Sequence, residues 1–162
     1  MFEREARLNR LMFGLLKRLL ADVEDSHLNV PIAESGNPPA FILAHLAVAN
    51  DYALRILGEG RVASAEWHKR FGRGASPKDD TSPLPTRTEL FETLDAGQSR
   101  LLAALATADP EKMNQPHSFD LFKGSPVETV GDIVGHLLTT HPSFHVGQIS
   151  GWRRQLGKPP LI

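Results

Sequence analysis

The feature that most constrains this chain is a spacing. Apolar residues recur at intervals of three and four in four separate stretches, the period of an α-helix with one buried face. Nothing alternates with period two for long enough to argue for a sheet, and no fixed-period repeat is visible. Four amphipathic stripes need one another as cover. The reading is therefore an all-α, four-helix bundle, with residues 1–162 forming a single domain.

Proline and glycine punctuate the stripes. Leu8, Met12, Leu15, Leu16, Leu19 and Val23 define a first helix over about 3–24, with Arg7, Arg10, Lys17 and Arg18 on its solvated face. Pro31, Gly36, Pro38 and Pro39 mark a loop. Asn37 suits an N-cap, and a proline directly after it suits the first helical position. The second helix runs to about Leu57, before Gly58 and Gly60. Phe41, His45, Val48, Tyr52 and Ile56 lie within about 80° of one another on it. Residues 59–85 are rich in turn formers, with a short helix expected over Ala63–Phe71 that presents Trp67 and Phe71. So long a connection either covers a site or is a surface loop anchored by two aromatics. Thr86 and Glu89 form a capping box for a third helix carrying Leu90, Leu94, Leu101 and Leu105, closed by Asp109-Pro110. Residues 110–124 read as irregular. Ser125 and Glu128 form a second capping box, opening a long fourth helix to about Leu156, which Gly157, Pro159 and Pro160 close.

Charge and composition remove several functions. Eighteen Lys+Arg against nineteen Asp+Glu give a net charge of −1, which offers nucleic acid or an anionic membrane no attraction. No stretch has the length of a spanning helix or the pattern of a secretory leader, so a cytoplasmic location is expected. The absence of cysteine excludes disulfides, thiolate metal ligands and a cysteine nucleophile.

The chemistry then falls to histidine, of which there are seven. His27 and His117 lie in connections and His68 in the possible cover segment, so all three read as surface residues. On one continuous fourth helix, His136 points about 180° away from His145. His141 and His145 are four apart and stack on one helical face, which lets two imidazoles reach one metal ion. They occupy the apolar stripe of Val130, Val134, Leu137, Leu138, Gln148 and Trp152. His45 is the one ionisable residue on the inward stripe of the second helix. Three inward imidazoles are either satisfied core residues or ligands of a divalent metal. Zinc commonly uses three histidines and a water, and nickel, iron and manganese also accept imidazole.

The stretch His141-Pro142-Ser143-Phe144-His145-Val146-Gly147-Gln148 resembles the His-x-x-x-His-x-Gly-Gln signature of the DinB-like (YfiT-like) superfamily. Phe41-Ile42-Leu43-Ala44-His45-Leu46 resembles the family's second-helix segment, and Trp152-Arg153-Arg154-Gln155-Leu156-Gly157 is similar to members downstream. The resemblance implies an up-down-down-up bundle, commonly a homodimer, with His45, His141 and His145 as metal ligands. It implies thiol-cofactor S-transferase, thiol-dependent isomerase or metal-dependent hydrolase chemistry on a small-molecule substrate, with zinc or nickel as the expected ion and a low-molecular-weight thiol as a possible co-substrate.

Pro142 departs from a regular helix. It deprives the Leu138 carbonyl of its partner and clashes with it, so a kink near Leu138–Pro142, or a new turn beginning at His141, is expected. Gln148 lies within about 20° of His141 on the helix and either orients a ligand or ties helices together. Phe41, Tyr52 and Trp67 are the expected pocket residues. No inward Asp or Glu offers itself as a general base. The rival reading is a non-catalytic bundle, metal-stabilised or metal-free, that pairs with a second copy through Gly131/Gly135 and Gly147/Gly151.

Overall fold

The computed structural model describes residues 1–33, 36–78, 80 and 82–161. It contains helices α1 (Glu3–Leu20), α2 (Pro39–Ile56), α3 (Ala65–Phe71), α4 (Arg87–Ala104), α5 (Pro110–Met113), α6 (Val130–Leu138) and α7 (Thr140–Gln155). Among the described residues the only β-pairing is an isolated bridge between Pro116 and Thr129.

Side-chain contacts fix the direction of each long helix. Asn9 meets Leu138 and Arg153 meets Leu19, so α1 runs parallel to α6–α7. Asn9 also meets Gln98, Lys17 meets Asp95 and Leu20 meets Arg87, so α4 runs antiparallel to α1. Gly97 faces Asn50 while Leu54 and Leu101 share one apolar cluster, so α2 and α4 are parallel. The order is up, down, down, up. Leu16, Leu20, Leu43, Leu46, Leu90, Leu94, Ile149 and Trp152 are at most 2% exposed and form the main core; Leu54, Leu101, Val134 and Leu138 continue it toward the other end.

Local chemistry explains where elements start and stop. Helix α1 ends at Leu20 rather than near residue 24, because two guanidiniums take its last carbonyls. Arg153 donates to Leu19 O at 3.0 Å, and Arg87 donates to Leu20 O at 3.1 Å and to Val23 O. Cations there also complement the helix dipole. Helix α2 begins at Pro39 with Pro38, not Asn37, in the capping position and no side-chain cap. Two prolines lack the N–H groups that a cap would satisfy. It ends in a Schellman turn: Gly58 adopts φ +90°, Glu59 N–H donates to Leu54 O and Gly58 N–H to Arg55 O. Both arms of the Thr86–Glu89 capping box form, and those contacts hold the Glu89 carboxyl below its ordinary range.

The Ser125–Glu128 box does not form. Residues 128–130 are drawn against 115–117 instead, where Val130 N–H donates to Gln115 O and His117 N–H to Glu128 O. Helix α6 therefore starts later, on a Thr129–Asp132 capping box. The expected single fourth helix is two. Thr139 breaks it with φ −126° and ψ −76°, three residues before Pro142.

Candidate metal centre

Two helices bring the three histidines together. His45 projects from the middle of α2, and His141 and His145 from successive turns at the start of α7. The Nε2 atoms of His45 and His141 are 3.1 Å apart, and those of His141 and His145 are 3.3 Å apart. One ring nitrogen from each residue lies within 4.8 Å of the other two. The three rings pack edge to face, with centroids 4.8–5.2 Å apart.

Neighbouring acceptors decide which nitrogens are free. His45 Nδ1 is 2.7 Å from Phe71 O, and His145 Nδ1 is 2.8 Å from Gln148 Oε1. A carbonyl oxygen can only accept, so both Nδ1 atoms donate and both Nε2 atoms carry lone pairs. Phe71 is the last residue of α3, where helical carbonyls lack partners. Burial favours the neutral rings. It lowers the His45 pKa against the pull of the Phe71 carbonyl. It brings His141 down to about 3, helped by the charges of His145, His45 and His136. It brings His145 to about 4, against the raising effect of Gln148.

Neutral imidazoles with lone pairs aimed at one point are a set of donors for a cation. Two nitrogens about 2.0–2.1 Å from one zinc ion, at the tetrahedral angle, lie about 3.4 Å apart, which the measured 3.1 and 3.3 Å approach. His141 Nδ1 is buried without a hydrogen-bond partner, so its ring is not tied down by a competing contact. No Asp or Glu joins the group among the described residues. The residues fit a three-histidine site with room for a further, non-protein ligand.

That room is a cavity of about 300 Å³. His45, Tyr52, His136 and His141 line it, together with Arg55, Arg73, Ile133, Leu137, Phe119, Leu121 and Phe122. Tyr52, one of the expected pocket residues, is part of this lining. Phe41 and Trp67 do not contribute to this wall. They pack edge to face on Phe71, at centroid distances of 5.4 and 5.6 Å, and so hold the residue whose carbonyl fixes His45.

His136 is a correction. Its ring lies 5.8 Å from that of His141 and faces the cavity. The expectation that it points away assumed one unbroken helix, and the break at Thr139 removes that phase relation. His68 is a correction of a different kind. It is held at 2.8 Å by the buried Asp51 carboxylate, which also accepts from Val62 N–H and Ala63 N–H. This clamp fastens α3 to α2. The wall contributed by Phe119, Leu121 and Phe122 comes from the segment read as irregular; its only signal was a cluster of apolar residues between Ser118 and Gly124.

Comparison with known proteins gives the same frame. The profile of the DinB superfamily matches residues 10–149. The four-helix bundle protein TT2238 is 20% identical with a TM-score of 0.58, covering 91% of this chain and 96% of its own. YfiT from Bacillus subtilis, a probable metal-dependent hydrolase with an unusual four-helix bundle topology, is 17% identical with a TM-score of 0.66, covering 97% of this chain and 88% of its own. At these identities the likeness shows the fold alone. No curated protein matches the sequence.

Proposed function

The chain belongs to the DinB superfamily, and from that premise we propose that it is a metal-dependent enzyme whose divalent ion is held by His45, His141 and His145. The observation that carries this reading is the convergence of three neutral Nε2 atoms on one point at the wall of a cavity. Structural metal sites are commonly closed by four protein ligands, whereas three ligands beside open space are typical of catalytic ones. The ion, zinc or nickel, would supply Lewis-acid chemistry, polarising a substrate oxygen or lowering the pKa of a bound water or thiol.

The chain's own residues supply the rest. Phe71 and Gln148 hold two imidazoles in the ligand tautomer. His136 Nδ1 is 2.6 Å from Thr140 Oγ1; in the tautomer whose Nδ1–H donates to that hydroxyl, Nε2 is free to take a proton from a nucleophile in the cavity. This fills the place that no carboxylate fills. Ile133, Leu137 and Leu121 give the cavity an apolar wall against which a small-molecule substrate would lie. The reaction is hydrolysis or transfer to a low-molecular-weight thiol. The name of YfiT supports the first, and a cavity lining without a carboxylate among the described residues supports the second.

No helix of the described residues is long and apolar enough to cross a membrane, and the proposed location is the cytoplasm. The proposed assembly is a homodimer. Phe144 is 64% exposed, and Gly147 and Gly151, on the same face of α7, meet nothing within 4 Å; Gly131 is instead covered by Met113 of the same chain.

The decisive experiment is elemental analysis of untagged protein grown with added zinc and nickel, beside His145→Ala. About one ion per chain, lost in the variant, is expected. An unaltered protein that comes out free of metal overturns the proposal.

A further inference from the structure

The cavity lining joins unlike groups: His45 and His141, an apolar wall of Ala49, Ile133 and Leu137, and Tyr52 with two arginines. The Arg55 guanidinium lies over the Tyr52 ring, 5.6 Å from its centroid. The Tyr52 hydroxyl abuts Gly72, where an added methyl would lie 3.2 Å from it. Arg73 follows directly and also lines the cavity.

Arg55 and Arg73 are exposed and, like most arginines of this chain, have no carboxylate partner among the described residues. No described Asp or Glu lines the cavity beside them. A guanidinium beside an apolar wall is matched by a planar oxyanion, which its fork of N–H donors fits. Among the described residues the lining holds no Lys, Ser, Thr or Asn to take the further oxygens of a phosphate, so a carboxylate is the better match.

We propose that this cavity binds a small amphipathic carboxylate. Its anionic group lies at Arg55 and Arg73, its apolar body lies against Ile133 and Leu137, and its opposite end faces the imidazoles. The proposal rests on the cavity being the substrate site of the proposed enzyme, and it adds the substrate class. A volume of about 300 Å³ stands at the small end of ligand pockets, so one ring or a short chain is the size that fits.

The test uses metal-free protein at about pH 7.5, where the three buried imidazoles are neutral. An anion preference seen there owes nothing to a metal ion, so its failure is separate from failure of the metal assignment. Ligand-observed NMR titration compares 4-phenylbutyrate with its neutral isostere 4-phenylbutanamide. The acid is expected to bind about tenfold tighter, the worth of one charge-assisted hydrogen bond. In Arg55→Met/Arg73→Met the two probes should bind alike, while Arg100→Met, at another exposed ion pair, should keep the preference. Equal binding of acid and amide to the unaltered protein overturns the proposal, and so does a preference that survives the double substitution.

Discussion

Asn9 Nδ2 donates to the Leu138 carbonyl at 2.9 Å, and Leu138 is the residue that loses its helical donor to Pro142. The two features belong together. Proline at 142 has no N–H to offer four residues back, so a buried acceptor is exposed at the break between α6 and α7. Asn9, itself fully buried, supplies the missing donor from α1, and its own oxygen is satisfied by Gln98 Nε2 of α4 at 3.0 Å. The break that aims His141 is thus braced by a chain of amides across three helices.

Asn9→Leu should therefore cost more than its size suggests. It fills the same space but leaves the Leu138 carbonyl and the Gln98 amide without partners. A loss of about 1–3 kcal/mol is expected, read as a lower denaturant midpoint with an unchanged slope. A variant as stable as the parent would mean that water serves the carbonyl equally well.

Acid should weaken the metal-free protein well above the range of its carboxylates. Folded His141 and His145 gain protons only near pH 3 and 4, whereas an unfolded histidine does so near 6.5. The unfolded chain binds more protons between those values, so stability is lost as pH falls from about 6.5 toward 4. Urea unfolding of metal-free protein at about pH 7.5, 6 and 5 checks this, with His141→Phe as reference. Equal pH dependence in the two proteins would contradict the expectation.

Gln148 separates tautomer control from simple packing. Gln148→Ala removes the acceptor that holds His145 Nδ1–H and should lower metal affinity by about 10–100-fold. Gln148→Glu keeps an acceptor in place and should restore most of it. Competition with a chromophoric chelator measures both. Equal losses in the two variants would assign Gln148 a packing role only.

Gly72 is under steric rather than torsional constraint. A Cβ there would lie 2.4 Å from His68 O, a backbone atom that cannot swing away. Gly72→Ala should displace the end of α3, and with it the Phe71 carbonyl that holds His45. About 1–3 kcal/mol of stability is expected to be lost, together with weaker metal binding. An alanine variant of unchanged melting temperature and affinity would show that α3 adjusts without reaching His45.

The long helices were legible because each signal was local. The Thr86–Glu89 box, the glycine after Leu57 and the stripes of α2 and α4 are decided within a few residues, whereas in α1 the stripe was right only from Met12 to Leu19: Leu8 is exposed and Val23 lies beyond the helix. Sequence failed where distant chain made the choice. Ser125–Glu128 and Thr129–Asp132 match one pattern, and only the pairing of 115–117 with 128–130 selects the second. Pro142 signalled a kink near Leu138–Pro142, and the break falls there, at Thr139, but its size was not readable, so His136 was phased on a helix that does not continue. Of the residues at the centre, the spacing of His141 and His145 and the inward place of His45 were readable. Arg55 and Arg73 were not, since an exposed arginine on a solvated face looks the same in sequence as one at the mouth of a cavity.

The two Nε2 atoms that approach most closely belong to residues 96 positions apart. A chain still being synthesised, with α7 unmade, holds His45 alone, its ring facing nothing. The cluster is therefore a record of completeness. A premature stop before α7 removes two of its three rings, and a protein that has gathered it has also finished threading its last helix back alongside its first.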